Sequence, residues 1–502
     1  MYDYDVVIVG SGLGGLVCGT ILGMHGYKVG IFEKNRQIGG CLQTYSRDKA
    51  IIDTGVHYIG GLGEGQQLHQ IFKYLGIMDQ LRLLQLDADG FDYISFAGDD
   101  KTYQLAQGYN NFIAGLLRDF PDEETSLNAY CNKIREVCSK FPMYNLRTGG
   151  NSEKEEVLHI DTSAFLTSIT SNRKLQQVLA GNNLLYAGVA NKTPFYIHAL
   201  ITNSFIESAW KCVDGGSQIA KLLGRRITDQ SGTIHRNSEV KKIVGEGDSI
   251  AYVILESGEK VTAKYFISNL HPAQTLKITE SEILRKAYRS RISNLKNTIG
   301  TFLLNIVLKK DTFPYLNHNY YYHATDDAWK GVDYTAENWP LTYALFVNAS
   351  SKQEKYADSL TIMTYMRDED VATWKDTFNT DSHPQSRGSE YEAFKKERAE
   401  RLLDVVAEKF SDIRDCVKSY YIATPLSYRD YQGSGDGSMY GIEKDYRNSA
   451  KTFIPPKTRV PNLFLTGQNL NVHGVLGVTI SALMTCGELI DIEQLLVEIN
   501  GT

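Results

Sequence analysis

The stretch Val6-Val7-Ile8-Val9-Gly10-Ser11-Gly12-Leu13-Gly14-Gly15 decides the reading of this chain, together with Lys28-Val29-Gly30-Ile31-Phe32-Glu33 further on. An apolar strand runs into a turn of the G-x-G-x-x-G form, and a second strand ends in an acid about 20 residues later, as a βαβ dinucleotide site requires. Gly10 lets the chain bend tightly, Gly12 lets backbone approach a pyrophosphate, and Gly15 lets the next helix pack close to the strand. Leu13 and Gly14 complete the turn, and the helix N-terminus offers free N–H groups and a partial positive charge. Glu33, followed by Lys34, is placed to accept hydrogen bonds from a ribose.

Working outward, Gly39-Gly40-Cys41 forms a loop whose paired glycines permit close backbone approach. Ile51 to Gly61 reads as one strand broken by glycines that lies near the same ligand. Residues 64–76, 122–141 and 391–410 read as helices, the last with Lys395-Lys396-Glu397-Arg398 as a solvated face. Leu146 to Glu156 reads as an exposed loop, and residues 375–390 as a polar loop. Residues 234–269 are β-rich and close on Ile267-Ser268-Asn269, a return to the first sheet, and 300–308 and 359–366 are further strands. Near the C-terminal end, Leu463-Phe464-Leu465-Thr466-Gly467-Gln468 is a second strand ending in glycine, and a helix opens near residue 475. That junction brings another helix N-terminus to the same ligand.

The chain has 502 residues, which makes two domains the default. A formal charge of -6 argues against nucleic acid as the main partner. No apolar run is long enough to span a bilayer, and the first strand leaves no room for an export signal, so a cytoplasmic location is expected. The seven cysteines form no C-x-x-C pair and no zinc pattern, so no metal is expected and the thiols are read as reduced.

These segments together resemble the flavoprotein family of phytoene desaturases, carotenoid isomerases and retinol saturases, within a wider group that includes amine oxidases and protoporphyrinogen oxidase. Within it, the chain is most similar to the retinol saturase and carotenoid isomerase branch on Asp53-Thr54-Gly55-Val56-His57-Tyr58-Ile59-Gly60, Met439-Tyr440-Gly441-Ile442 and Leu465-Thr466-Gly467-Gln468-Asn469. The resemblance implies an α/β fold: a discontinuous Rossmann-type FAD-binding domain from residues 1–90, 206–290 and 421–502, with an α+β substrate domain from 91–205 and 291–420. It implies FAD, with Gly10, Gly12, Leu13, Gly14 and Gly15 around the pyrophosphate and Glu33 and Lys34 at the adenosine ribose. Gly39, Gly40 and Cys41 would approach the flavin side, Val240 the adenine, and Asn269, Gly467 and Gln468 the middle of the cofactor. Val475, Leu476 and Gly477 would lie near the isoalloxazine ring. Two positions depart from the pattern: Gln468 stands where much of the wider group carries an acid, and Cys41 where many relatives carry Arg.

The activity implied is hydride transfer between FAD and a C–C double bond of a lipophilic polyene or isoprenoid, with a proton moving at the neighbouring carbon. That chemistry predicts a long apolar tunnel with few polar groups and no triad. His57, Tyr58, Tyr440 and His473 are the candidates for proton donation, substrate orientation or pocket lining, each weighed against a structural role. A redox-neutral isomerase using reduced FAD, an amine or protoporphyrinogen oxidase, and a flavin-binding scaffold without catalysis are the alternatives. A lipophilic substrate predicts peripheral membrane contact through an apolar patch. Electrons would be exchanged with an external partner, whether NAD(P)H, a quinone or a reductase, because no second nucleotide motif is present.

Overall fold

The computed structural model describes residues 2–150, 152–352 and 355–502. The quoted apolar run becomes β1 (Tyr4–Val9), followed by helix α1 (Leu13–Met24) and β2 (Val29–Phe32). β1 pairs parallel with β2 on one side and with β3 (Lys260–Ser268) on the other. Val6, Val7 and Ile8 are completely buried there, as a parallel strand covered on both faces demands. Each such fully buried side chain contributes about 1.5–3 kcal/mol relative to exposure.

β3 does two jobs along its length. Its beginning pairs antiparallel with Ser249–Leu255, and its end pairs parallel with β4 (Leu463–Leu465). A strand near the end of the chain is thus zipped next to strands from its middle and its start. Helix α2 (Gly474–Cys486) follows β4 and packs on α1, where Cys18 Sγ lies 3.7 Å from both Thr466 Oγ1 and the Ala482 carbonyl. Helix Ser217–Asp229 covers α1 from another side, so closely that a Cβ on Gly19 would press on the side-chain ends of Ile31 and Ile227 at 2.9 and 3.2 Å.

A second sheet runs in the order Val417–Ala423, Gly300–Leu308, Ser359–Met366, Thr342–Val347, Asn319–His323, Asp92–Phe96 and Thr102–Leu105. Four of its strands, 300–308, 319–323, 342–347 and 359–366, are buried at every residue. Two small sheets complete the structure: Thr44–Arg47 with Ala50–Asp53, and Ile59–Gly60 with Ala209–Cys212 and Leu83–Gln85. The architecture is the expected α/β one, a Rossmann-type unit beside a second unit of mixed sheet and helices.

Three expectations are corrected. Ile51 to Gly61 is not one strand: its two ends join different small sheets, leaving Gly55, Val56 and His57 free to line a cavity between them. The segment from Leu146 to Glu156 is not all exposed loop, because Leu146 is 2% exposed and Ser152–Glu155 forms a helical turn pinned by an Arg147–Glu153 ion pair. Asn151 within it lies outside the described residues. The charged face of helix Ser389–Ala407 is only partly solvated: Arg398 lies over Trp339 at 5.2 Å and Lys395 over Tyr391 at 4.9 Å. In both, the charged group itself lies over the ring face, and the side chains are largely covered. The 375–390 segment is loop as far as Gly388, as expected, and a buried ion pair, Arg387 with Asp430, fastens it to helix Pro425–Gln432.

Candidate functional site

Both glycine turns open onto one cavity of about 490 Å³. At the first turn, Gly10 takes φ +93°, a conformation a side chain rarely adopts, and a Cβ on Gly15 would lie 2.3 Å from the Gly10 carbonyl oxygen. Neither Gly12, the N-cap of α1, nor its first turn supplies a side-chain cap or an acid, so the first N–H groups are left for a ligand. Leu13 and Gly14 line the cavity at that point. Asn269, at the end of β3, sits between the two turns: Cβ atoms on Gly12, Gly14 and Gly467 would each fall within 2.8 Å of its amide. Gly467 itself takes φ +103°, and Gly14 approaches its backbone so closely that a Cβ would lie 3.2 Å away. Any side chain at these positions would fill the cradle.

The Gly39–Gly40 loop reaches the same place. The Gly39 N–H donates to the Ser11 carbonyl at 2.9 Å, and a Cβ on Gly40 would lie 3.2 Å from Gly12 Cα. Glu33 is 6% exposed and lines the cavity with its neighbour Lys34. Its carboxylate accepts from the Ser11 N–H, the Ser11 hydroxyl and the Asn35 N–H at 2.9, 2.7 and 2.8 Å. Lys34 donates from Nζ to the Asp430 carbonyl at 2.6 Å, and burial lowers its pKa. Val240, at the start of its strand, lines this end of the cavity.

Further along, Cys41, Gln468, Val475, Leu476 and Gly477 line the cavity at the N-terminus of α2. Gly477 must lack a side chain, since a Cβ would lie 2.5 Å from the Val472 carbonyl oxygen. Burial pushes the Cys41 thiol up to about 11, so it is a neutral thiol. The Asn469 side chain accepts from the Ile442 N–H at 3.1 Å, and a Cβ on Gly441 would meet it at 2.0 Å. Two of the sequence segments that carried the resemblance are thereby joined side by side.

The four residues singled out for chemistry all line the cavity, in two different ways. His473 and Tyr440 stack at 4.3 Å, and their outer polar atoms are engaged elsewhere. Tyr440 Oη donates to the Leu184 carbonyl and His473 Nε2 to the Leu185 carbonyl, each at 3.0 Å. Burial lowers the His473 pKa to about 4, so the pair presents neutral rings. His57 lies parallel to Phe346 at 4.6 Å, with neither ring nitrogen hydrogen-bonded, and burial lowers its pKa to about 4. Tyr58 alone turns a hydroxyl into a buried polar cluster, donating to Asp92 at 2.9 Å and lying 2.7 Å from the Tyr321 hydroxyl.

Phe141, Met143, Leu200, Ile201, Phe453 and Met484 give the cavity an apolar arm, with Lys154 lying over the Phe453 ring at 4.6 Å. Sequence spacing did not find this arm, nor Phe346, Met363 and Asp92, because they come from elements hundreds of residues apart. The only signal they carry is membership of buried strands and helices. Large hydrophobic side chains exposed among the described residues are Tyr2, Ile51, Tyr356, Phe378 and Val497, which are scattered along the chain. Among the described residues, no helix is long and apolar enough to cross a membrane.

Residues 8–75 match the family described as NAD(P)-binding Rossmann-like domain. Over 96% of its length the chain is 25% identical to all-trans-retinol 13,14-reductase of Homo sapiens, covering 84% of that protein. It is 23% identical to the chloroplastic prolycopene isomerase of Daucus carota, covering 96% of this chain and 79% of that one. It is 25% identical to a 4,4'-diapophytoene desaturase of Methylomonas sp, covering 92% of this chain and 90% of that one. Among solved structures, an oxidoreductase from Methanosarcina mazei superposes with a TM-score of 0.60 at 17% identity, over 95% of this chain and 98% of that one. A putrescine oxidase variant superposes with a TM-score of 0.63 at 15% identity, over 99% of both chains. The chain therefore shares its fold with these two proteins. The sequence matches fit the phytoene desaturase and retinol saturase family.

Proposed function

We propose that the protein is an FAD-dependent oxidoreductase acting on C–C double bonds of a lipophilic polyene or isoprenoid. One observation carries this reading: a single cavity joins two glycine turns and two helix N-termini to an arm walled by Phe141, Met143, Leu200, Ile201, Phe453 and Met484. The charged end suits a pyrophosphate, and the apolar arm suits a long hydrocarbon. The relatives named for retinol and diapophytoene support the substrate class.

Gly10, Gly12, Leu13, Gly14, Gly15 and Asn269 would hold the pyrophosphate, Glu33 and Lys34 the adenosine ribose, and Val240 the adenine. Gly39, Gly40, Cys41, Gly467, Gln468, Val475, Leu476 and Gly477 would border the flavin. Bound FAD supplies the two-electron chemistry. The chain's own part is to align the polyene between the Tyr440–His473 wall and the His57–Phe346 wall, and to exclude water with apolar side chains. Burial keeps His57 and His473 neutral, so neither ring places a charge beside the hydrocarbon. The lipophilic substrate also extends the reading to transient bilayer contact, which co-sedimentation with liposomes tests.

The direct test is anaerobic. The chemically reduced flavoprotein is mixed with all-trans-retinol and a carotenoid panel, and recovery of oxidised-flavin absorbance is followed. Reoxidation by a polyene, with a product two hydrogens heavier, is the expected result. A protein that neither purifies with flavin nor takes it up sinks the reading. The prolycopene isomerase match favours a second reading, redox-neutral isomerisation. A product of unchanged mass, formed only with reduced flavin, would select it.

A further inference from the structure

Tyr58 is the point where the apolar cavity meets buried ionisable groups. Its hydroxyl donates to Asp92 Oδ2 at 2.9 Å and shares a 2.7 Å contact with the Tyr321 hydroxyl. Asp92 is fully buried and also accepts from Asn182 Nδ2 at 3.2 Å and Asn319 Nδ2 at 2.9 Å. Adjacent strands build this set: Asn319 stands opposite Asp92 in the register, and Tyr321 opposite Ile94. Lys211, 2% exposed on Ala209–Cys212, adds a buried amine whose Nζ has no hydrogen-bond partner. Its charge acts on both Asp92 and His57. Beyond Lys211 lie Asp87 and His318, the latter stacked on Tyr93 at 3.7 Å.

A core needs none of these groups for stability. Apolar residues of similar volume usually serve at least as well, because each buried ionisable group carries a desolvation penalty. The cluster is placed where one member, Tyr58, reaches the cavity wall beside Phe205, Phe346 and Met363.

We propose that Tyr58 and Asp92 form a proton relay for the cavity, Tyr58 giving the proton to the polyene and Asp92 orienting and resupplying the Tyr58 hydroxyl. This inference rests on the polyene reading above, with Tyr58 as the catalytic residue and Asp92 as a positioning residue. Burial pushes Asp92 up to about 6, so both its forms are accessible near neutrality. Burial and the neighbouring Asp92 hold the Tyr58 hydroxyl well above its ordinary value, so it gives up a proton only as another arrives. While Asp92 is ionised, the Tyr58 O–H points at the carboxylate. Once Asp92 is protonated, its own O–H donates to Tyr58 Oη and the tyrosine hydrogen is released to turn toward the cavity.

The step balances. One carbon of the double bond receives a hydride, with its electron pair, from two-electron-reduced flavin. The π pair forms a C–H bond at the neighbouring carbon with the Tyr58 proton as that O–H bond breaks. The Asp92 proton passes to Tyr58 Oη, and a solvent proton restores Asp92. The flavin is reduced beforehand by an external donor, dithionite in the experiment.

The test compares wild type with Tyr58→Phe, Asp92→Asn and Tyr321→Phe, each checked for folding by circular dichroism and for flavin content. In flavin-free protein, pH-difference infrared spectroscopy should show a buried carboxylic acid titrating near pH 6, absent in Asp92→Asn and shifted in Tyr58→Phe. In single turnovers with the polyene that wild type accepts, the wild-type rate should rise as pH falls through this titration and should slow in D2O. Tyr58→Phe should lose about 100-fold or more of that rate, the usual worth of a positioned general acid. Asp92→Asn should lose the pH dependence, and Tyr321→Phe should keep it. An unshifted infrared band, an undiminished Tyr58→Phe rate or an unchanged Asp92→Asn profile overturns the relay. Failure of wild type with every polyene overturns the underlying reading instead, and the infrared titration then judges the Tyr58–Asp92 coupling by itself.

Discussion

Ser11 and Glu33 are joined at a single oxygen: the backbone N–H and the hydroxyl of Ser11 both donate to Glu33 Oε2, at 2.9 and 2.7 Å. The glycine turn therefore orients the acid at the tip of β2, and Oε1 is held only by the Asn35 N–H. Glu33→Ala removes the acceptor itself and should weaken FAD binding about 10- to 100-fold, the worth of a charged hydrogen bond. Ser11→Ala keeps the acceptor and the backbone N–H, so its loss should stay within a few-fold. Fluorescence titration of flavin-free protein with FAD compares the two.

Glycines that look alike in sequence should separate sharply on substitution. A Cβ on Gly15 would lie 2.3 Å from the Gly10 carbonyl oxygen, backbone that cannot step aside, whereas one on Gly115 meets nothing closer than 3.9 Å. Gly115→Ala, inside helix Tyr109–Leu117, should stabilise the protein by about 0.5–1 kcal/mol. Gly15→Ala should lower the urea midpoint and flavin content together. Equal effects from the two substitutions would refute the packing argument.

Asp53 sets a pH dependence of stability. It is buried, accepts the Gly216 N–H at 2.7 Å, and burial raises its pKa from 3.8 to about 7. A raised folded-state value means that its contribution is complete below pH 3.8 and is lost as pH rises through about 7. Between pH 5 and 8 wild type should therefore lose about 2 kcal/mol relative to Asp53→Asn, which stays neutral throughout. Urea midpoints of both proteins at the two pH values measure the difference. Parallel pH curves would show that Asp53 is ionised in the folded state.

Cys41 borders the expected flavin position but is a poor nucleophile. With its thiol pushed up to about 11, alkylation by iodoacetamide at pH 8 should run about 100-fold slower than at an ordinary exposed cysteine. Acid precipitation should release the flavin free into the supernatant, and Cys41→Ala should retain it. Flavin that stays with the precipitated wild type, but not with Cys41→Ala, would reverse this assignment.

The sequence reads well where chemistry needs a local pattern. The β1 turn, Glu33, the Gly39–Gly40 loop and the Gly467 junction each state their geometry within a few residues, because close backbone approach demands glycine. It reads poorly where the site is made by distant elements. Asp92 and Tyr321 meet Tyr58 only because two strands of the second sheet lie next to each other. No spacing in the chain announces a contact across 263 residues. Ile51 to Gly61 misleads for a related reason: both ends form strands, but the two ends belong to different sheets. The Lys395–Arg398 stretch misleads because charge count ignores the aromatic faces beneath it.

The pairing of β3 with β4 also sets a timetable for synthesis. Residues 463–465 complete the sheet that starts with residues 4–9, and Gly467 completes the cradle around Asn269. While the ribosome is still adding the last tenth of the chain, β3 has an unpaired edge and the first glycine turn faces only half of its enclosure. On the function proposed above, the site for the flavin would be completed only when this junction forms. A nascent chain stalled before residue 463 would present an unpaired sheet edge to chaperones and proteases.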